Sequence, residues 1–592
     1  MLRAARVLIP AVILVAIVGV FLPAAMNGNF VDYDDEDLFL SNPLIRSLDP
    51  THLLRLFGTF AFGHYQPLTW ISHTIDFHLS GTRAYSHHAG NVALHALNGV
   101  LVYLLCARLI AAARRIAPSR LRPTDLLAAG VAALLFAIHP LRAESVAWAT
   151  ERRDVLSTAL LLGAAIAYVR AVAGTAAPIA RPKALVPAVV LLALSLTAKA
   201  WGMSFFVLAL ILDVFPLRRL PPNPLQWRTR AHRAVLLEKL PFALLGIAAA
   251  VTAAAAQRAS PDTMRSLADW GLIERFVQAI YGLHFYLAST VWPTGLAVLY
   301  ELPYRLNALE SRFLIAYVTV PVGLAAVILV ARRRPAVGAA AAAYITLLLP
   351  VLGIAQSGPQ LAADRYSYVS CIGWAILVGG ALADKWRPRK DRVPRRVGIA
   401  LCCAILCFLG ALCWQQVRAW RDSDTLWEHA FRVGAESAIG HGNTALRRLR
   451  DGAPDAALHH ATRSAEIRPD YAPAWVLQGR ALRRLGRTDE AIIALERGLE
   501  LARPKHLLHA DLGHLLLHER GNAAAAVNHF RAALDICRDN PAYRAPAAQL
   551  GLGQALRASG DLLGAREALR SAARVESTRA AAERELQLID GD

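Results

Sequence analysis

Apolar runs of 18 or more residues recur from residue 6 to residue 416 and then stop. A run of that length crosses the hydrocarbon core of a bilayer as a helix. Inside lipid the backbone must bond to itself, so helices or closed barrels are the available forms. The chain is therefore read as all-α, with a polytopic membrane part followed by a soluble part. Its mean hydropathy of +0.37, with 55% hydrophobic residues in 592, agrees with that division. The formal charge is +20, but Lys and Arg sit mainly in short loops between apolar runs. That placement sets membrane orientation and gives no reason to invoke nucleic acid. Cys106, Cys371, Cys402, Cys403, Cys407 and Cys413 lie in or beside apolar runs, and Cys537 stands alone in the soluble part. No CxxC spacing or disulfide framework is present.

Arg3 and Arg6 precede an apolar run from about Val7 to Met26. The run is longer than a signal-peptide core and lacks a good small-x-small cleavage site, so it is read as an uncleaved first span with a cytoplasmic N-terminus. Residues 27–90 form a first outer loop, expected to make short interfacial helices. Further spans are expected at 91–112, 124–139, 154–174, 184–199, 201–216, 237–256, 312–331, 336–355, 367–384 and 397–416. The interval 273–292 is apolar but carries Gln278, Tyr281 and His284. If it does not cross, there are eleven spans, and the loops Arg114 to Arg122, Arg170 to Lys183, Arg218 to Lys239, Arg332 to Arg334 and Lys385 to Arg396 share one side. It is therefore read as re-entrant or interfacial. The odd count puts the C-terminal part outside, on the side of the first loop. The expected domains are a membrane domain over 1–420 and an extracytoplasmic repeat domain over 421–592. The Ala- and Arg-rich composition suggests a bacterial source, hence an inner-membrane location.

The soluble part repeats. Gly452, Gly486 and Gly521 are spaced 34 and 35 apart, and Pro469 and Pro504 are 35 apart. Ala456, Ala491 and Ala525 follow the glycines by four or five residues. A helix, a tight Gly turn and a second helix per unit is the tetratricopeptide signature. A last unit runs from Leu550 through Gly560 and Ala565 to Leu569, after an insertion around Cys537 to Arg544. About four units make a stable stack, whose concave face takes extended peptides or partner proteins.

Three polar stretches fall on the outer side. The first, Asp32-Tyr33-Asp34-Asp35-Glu36-Asp37, packs five acids into six positions. The second runs from His139-Pro140-Leu141-Arg142 through Glu144 to Glu151-Arg152-Arg153-Asp154, and the third is Ala363-Asp364-Arg365-Tyr366. Carboxylates in one loop facing Arg and His in two others suit transfer from a lipid-linked phosphosugar: a carboxylate deprotonates or orients a hydroxyl, and Arg binds phosphate through paired N–H donors. Read singly, each stretch has a plainer use. The acidic run is a solvated turn, the arginines bind lipid headgroups, His139-Pro140 ends a helix, and Asp364-Arg365 is an ion pair. A calcium loop starting at Asp32 fails, since Asp37 stands where Gly is needed and Pro43 where Glu is needed. His73, His78, His87, His88 and His95 lack a metal-site pattern such as HExxH, so no zinc site is expected.

These stretches and the repeats together resemble the transmembrane and tetratricopeptide-repeat protein family and its bacterial relatives, within the C-type glycosyltransferase superfamily and akin to protein O-mannosyltransferases. The matching residues are Tyr33-Asp34-Asp35 with Asn42, Tyr65-Gln66-Pro67-Leu68, His87 to His95, Phe136 to Pro140 with Glu144 to Trp148 and Glu151 to Asp154, Ala363 to Tyr366, and Trp420 to Ser423. The resemblance implies a polyprenyl-phosphate-linked, mannose-like donor and transfer on the outer face to hydroxyls of exported proteins recruited by the repeats. It makes Asp34 and Asp35 catalytic, with one of them contacting the acceptor. It places donor phosphate on Arg152 and Arg365, with Arg142 and His139 as neighbours, and Asp37, Glu151, Asp364 and Tyr366 in support. No cofactor is implied, although a divalent metal at Asp34, Asp35 and Asp37 stays open. Two other readings are a surface-glycan ligase or polymerase, and a non-enzymatic scaffold. The scaffold reading predicts that Asp34→Asn and Asp35→Asn leave function intact.

Overall fold

The computed structural model describes residues 2–173, 181–259, 266–355, 358–387, 393–502, 505–539 and 545–591. Pro504, residues 540–544 of the insertion, and parts of the Arg170–Lys183 and Lys385–Arg396 loops lie outside the described residues. The described chain is almost wholly helical. One short antiparallel pairing joins Tyr300–Glu301 to Gln360–Ala362. Two compact units are present: Met1–Leu302 with Leu306–Ala435, and Pro303–Arg305 with Glu436–Asp592. The division between these units falls after Ala435. The helix Ser423–Arg432 stays with the first unit because Trp427 Nε1 donates to Asp32 Oδ1 at 2.9 Å and the Asp32 N–H donates to Ser423 Oγ at 2.9 Å.

Among the described residues, five helices of the first unit are long and apolar enough to cross a membrane: Ala84–Ala113, Ala149–Val172, Arg230–Arg258, Ser311–Ala331 and Arg395–Ala419. Two further helix pairs, Pro123–Ala137 with Pro140–Ala147 and Asp364–Ser370 with Ile372–Lys385, pass only as bent units, at 60° and 47°. Ala4–Val20, Pro182–Ala198, Ala200–Val214 and Pro335–Val351 are apolar but shorter. Each expected span coincides with one of these elements. The interval 273–292 is one unbroken helix, Leu272–Val291. It buries Val277, Gln278, Gly282, Tyr286 and Ser289 along one face, so it packs on its neighbours and makes no re-entrant bend. Outward faces of the span helices are apolar, with Val318, Val322, Leu329, Leu401 and Phe408 more than half exposed. Such a surface is matched by lipid.

The helix Ala84–Ala113 is the longest described in the unit, about 45 Å at 1.5 Å per residue. At its far end Arg114 pairs with Asp125 at 2.7 Å and Asp384 at 3.2 Å, so two of the basic loops gather there. At its near end His88 Nε2 bonds Asn29 O at 3.0 Å, and the first loop gathers there.

That loop is built from cap-and-proline starts. Asn42 precedes Pro43 and accepts the Leu44 N–H, and Asp49 precedes Pro50 and accepts the Thr51 and His52 N–H groups. A side-chain acceptor followed by a residue that lacks a donor satisfies the open end of a helix. The segments Pro43–Ile45, Pro50–Leu56 and Pro67–Ser80 follow, preceded by one π-turn at Glu36–Leu40. Leu38, Phe39, Ile45, Leu56, Trp70 and Ala149 close into one buried cluster, which fixes the acidic turn to the start of the helix Ala149–Val172.

The second unit is a stack of helical hairpins: Ala438–Arg450 with Pro454–Ile467, Ala472–Arg484 with Thr488–Leu501, His506–His518 with Ala523–Asp539, and Pro546–Ala558 with Leu562–Ala572, closed by Glu576–Gly591. Gly452, Gly486, Gly521 and Gly560 turn the hairpins with φ between +63° and +87°, a region glycine enters without steric cost. Small buried residues at the crossings, among them Ala445, Ala457, Ala461 and Ala481, let the helices pack closely.

Candidate active site at the acidic end of the membrane unit

The three polar stretches meet in the first unit. Asp35 is fully buried. Its Oδ2 accepts the Val31 N–H at 3.1 Å, and its Oδ1 accepts the Thr150 hydroxyl at 2.6 Å and the Thr150 N–H at 3.3 Å. It therefore ties the first stretch to the second. Burial raises its pKa to about 7 in spite of those donors. Asp34 differs. The residue is exposed, and its side chain accepts no hydrogen bond from the described residues. Surrounding protein still raises its pKa to about 6, against the pull of Arg153 and Arg365 and with the push of Glu151 and Asp37. Tyr33 packs against Trp148 with the rings tilted by 30° at 5.1 Å and meets Trp427 edge-on at 5.7 Å, which holds the turn that presents Asp34. Burial raises the Tyr33 pKa, so the phenol stays neutral.

Glu151 is the centre of the cationic wall. It is 0% exposed, and Arg153 grips it with two bonds, at 2.6 and 3.1 Å. Lys199 Nζ donates to it at 3.0 Å and to Asp154 at 2.5 Å, while Arg365 Nε lies 3.5 Å away. Asp154 also accepts Trp201 Nε1 at 2.6 Å and Ser145 Oγ at 2.9 Å. Arg365 joins the third stretch to the second through Glu144, which accepts both its backbone N–H, at 2.7 Å, and its guanidinium. Its guanidinium carbon also lies over Trp148 and Tyr366, at 5.6 and 5.1 Å. A buried carboxylate is tolerable when several cations compensate it. The Arg153, Lys199 and Arg365 side chains keep 10%, 21% and 8% of their surface, so each cation retains a solvent edge. His64 completes this environment. Its ring makes no hydrogen bond among the described residues, and burial first, then Arg153 and Lys199, hold its pKa well below the usual range and keep it neutral.

Several expected donor-phosphate residues are committed elsewhere. Arg152 is buried and spends its guanidinium on Asn91, on Ser72 Oγ at 2.7 Å, on Asp76 Oδ2 at 2.6 Å and on His87 O at 2.7 Å. It runs so close to Gly90 that a Cβ there would strike it. Arg142 is 1% exposed, donates to Ser367 Oγ at 2.7 Å and lies 5.4 Å from both the Phe136 and Tyr368 rings, inside the bundle. His139 caps the turn Pro140–Arg142 by accepting the Leu141 N–H, and its Nε2 bonds Thr290 O at 3.1 Å. Arg152 and His139 have their side-chain nitrogens bonded to protein, whereas Arg142 keeps Nε and Nη1 buried with no partner among the described residues. Asp364 is buried and takes the Tyr300 hydroxyl at 3.0 Å, so Arg365 pairs with Glu144 and not with its neighbour. Tyr366 accepts Gln360 Nε2 at 2.5 Å and flanks Arg365. Asp37 is exposed and reaches the site only through its field on Asp34.

Arg153, Lys199, His64 and Glu144 join the site without having been expected from the sequence. Lys199 carried a usable signal, since a lysine ending an apolar span is costly unless paired. Among the described residues, Asp34, Asp35 and Asp37 do not gather as metal ligands. The set that does is His73, Asp76 and His87.

A tetratricopeptide-repeat family model matches residues 472–505. The chain is 28% identical over 205 residues to the Mus musculus protein O-mannosyl-transferase TMTC1, covering 32% of this chain and 20% of that protein. It is 33% identical over 153 residues to the Drosophila melanogaster protein O-mannosyl-transferase Tmtc1, covering 24% and 16%, and 27% identical over 212 residues to the Homo sapiens protein O-mannosyl-transferase TMTC3, covering 34% and 21%. The matched stretches thus span about a fifth of each of these relatives. The crystal structure of MamA aligns at 18% identity and a TM-score of 0.24, over 28% of this chain and 94% of MamA. The repeat match falls in the second unit, and the similarity to these protein O-mannosyl-transferases extends over about a third of the chain or less.

Proposed function

We propose that the chain is a membrane glycosyltransferase that moves a mannose-like sugar from a polyprenyl-phosphate donor to hydroxyls of exported proteins. The observation that carries this reading is the contrast within the acidic pair. Asp35 is bonded into the fold, while Asp34 is exposed with Arg153 and Arg365 acting on it. A carboxylate with a pKa near 6 is mostly ionised at neutral pH yet basic enough to accept or orient a hydroxyl proton. Arg365, Arg153 and Lys199 supply fixed positive charge for a phosphate leaving group. Arg152, Arg142 and His139 are assigned to holding that wall in place. The repeats recruit the acceptor and raise its local concentration. In this reading the membrane is a bacterial inner membrane, the N-terminus is cytoplasmic, and the acidic end and the repeats face outward. The relatives' names support the transferase class.

The test is transfer from radiolabelled polyprenyl-phosphate-mannose in purified membranes, comparing the natural chain with Asp34→Asn. Label in the protein fraction with the natural chain and a loss of at least a hundredfold in the variant is the expected result. Equal label in both removes Asp34 from the chemistry and defeats the proposal.

A further inference from the structure

We propose that His73, Asp76 and His87 form a binding site for one divalent transition-metal ion of the zinc type, which staples the helix Pro67–Ser80 to the helix Ala84–Ala113. His73 and Asp76 are three residues apart, so they share a helix face. His87 enters from the first turn of the next helix, just past the Gly81 turn. His73 Nδ1 and His87 Nδ1 are 3.1 Å apart, His87 Nδ1 and Asp76 Oδ2 are 3.5 Å apart, and His73 Nδ1 and Asp76 Oδ2 are 4.0 Å apart. For a triangle with these sides, the point equidistant from the three atoms lies about 2.1 Å from each, the bond length zinc makes to imidazole nitrogen and carboxylate oxygen. Two histidines and a carboxylate from adjacent helices form a donor set that suits zinc or a similar ion.

Without a metal ion the two imidazole rings are poorly satisfied. One N–H can lie between the two Nδ1 atoms, which leaves the carboxylate oxygen beyond hydrogen-bond reach of either ring. The other nitrogen of His87, Nε2, is buried with no partner, so that ring is oriented by the cluster alone. Asp76 Oδ1 accepts no bond from the described residues and is free to complete the coordination. An outer shell is in place, with Arg152 donating to Asp76 Oδ2 at 2.6 Å and to the His87 carbonyl at 2.7 Å; ligating carboxylates are ordinarily held this way. Phe39 covers the cluster, its ring 4.8 Å from His73 and 4.6 Å from His87, and shields it from water. The competing arrangement is Arg152 alone neutralising Asp76, and measurement separates the two. The inference does not depend on the transferase reading.

The full chain is purified in detergent through a non-histidine tag, equilibrated with excess zinc sulfate, desalted and measured for zinc by mass spectrometry. The repeats hold other histidine pairs, such as His441–His460 and His509–His529, so the readout is the difference from His73→Gln/His87→Gln. The natural chain is expected to retain about one zinc per chain more than the variant, and zinc should raise the thermal midpoint of the natural chain alone. If the double variant fails to fold, Asp76→Asn serves in its place. Equal zinc in the natural chain and the variant, or no retained zinc in either, overturns the site.

Discussion

Replacing Glu151 with Gln tests the charge arithmetic of the site. Glu151 is fully buried and is the only carboxylate bonded to the Arg153 guanidinium among the described residues; Lys199 keeps Asp154, and Arg365 keeps Glu144. Glutamine preserves the shape, offers one acceptor oxygen and turns an amide donor toward cations. The variant therefore strands a single buried charge, that of Arg153. Breaking one partner out of a buried pair costs about 3–5 kcal/mol, and because two of the three cations retain partners the expected cost is about 3 kcal/mol. Glu151→Gln/Arg153→Gln removes both charges and should recover about 2 kcal/mol of that loss, a coupling well above additivity. The assay is unfolding in detergent followed by tryptophan fluorescence for both single variants and the double variant. A double variant less stable than each single one, or a Glu151→Gln variant as stable as the natural chain, would refute the claim that Glu151 holds the wall together.

Other consequences follow from the same geometry. The transfer rate should rise with pH through about 6 and level off above 7, because the Asp34 carboxyl, raised to about 6, must lose its proton to act; below that the slope is tenfold per unit, and a flat profile from pH 5 to 8 would contradict this. Arg152→Lys should destabilise the fold by about 2 kcal/mol, through the lost fork to Asn91, Asp76 and His87, while the donor KM stays within twofold; Arg153→Lys should raise donor KM, and the reverse ordering would return the phosphate to Arg152. Gly486→Ala forces a Cβ into φ +74° and should cost the repeat unit about 1 kcal/mol, read as a lower unfolding midpoint with no change in the membrane unit.

Much of the architecture was legible in the residues. Each apolar run became a helix or a bent pair, because burying a backbone in lipid leaves no other local solution. The glycines at 452, 486, 521 and 560 became left-handed turns, and Asn42-Pro43 and Asp49-Pro50 became helix starts, since caps and positive φ depend on nearest neighbours. The meeting of the acidic turn with the stretches around Glu151 and Arg365 was legible as a juxtaposition and not as roles. Asp34 and Asp35 are adjacent and chemically identical, yet one is bonded to Val31 and Thr150 and the other is exposed. Arg152 and Arg153 are also adjacent. A helix rotates neighbours by about 100°, so one turns to Asp76 and the other to Glu151. Lys199 enters the wall from another span, and His73 and Asp76 meet His87 across two helices, so no contiguous motif could announce either. By itself the sequence determined the positions of the apolar helices, the repeat period and the chemistry on offer, because those depend on hydropathy and local backbone rules. Tertiary structure alone decided which charge faces which partner, because the neighbours of a buried ion are chosen by helix packing between segments far apart in the chain.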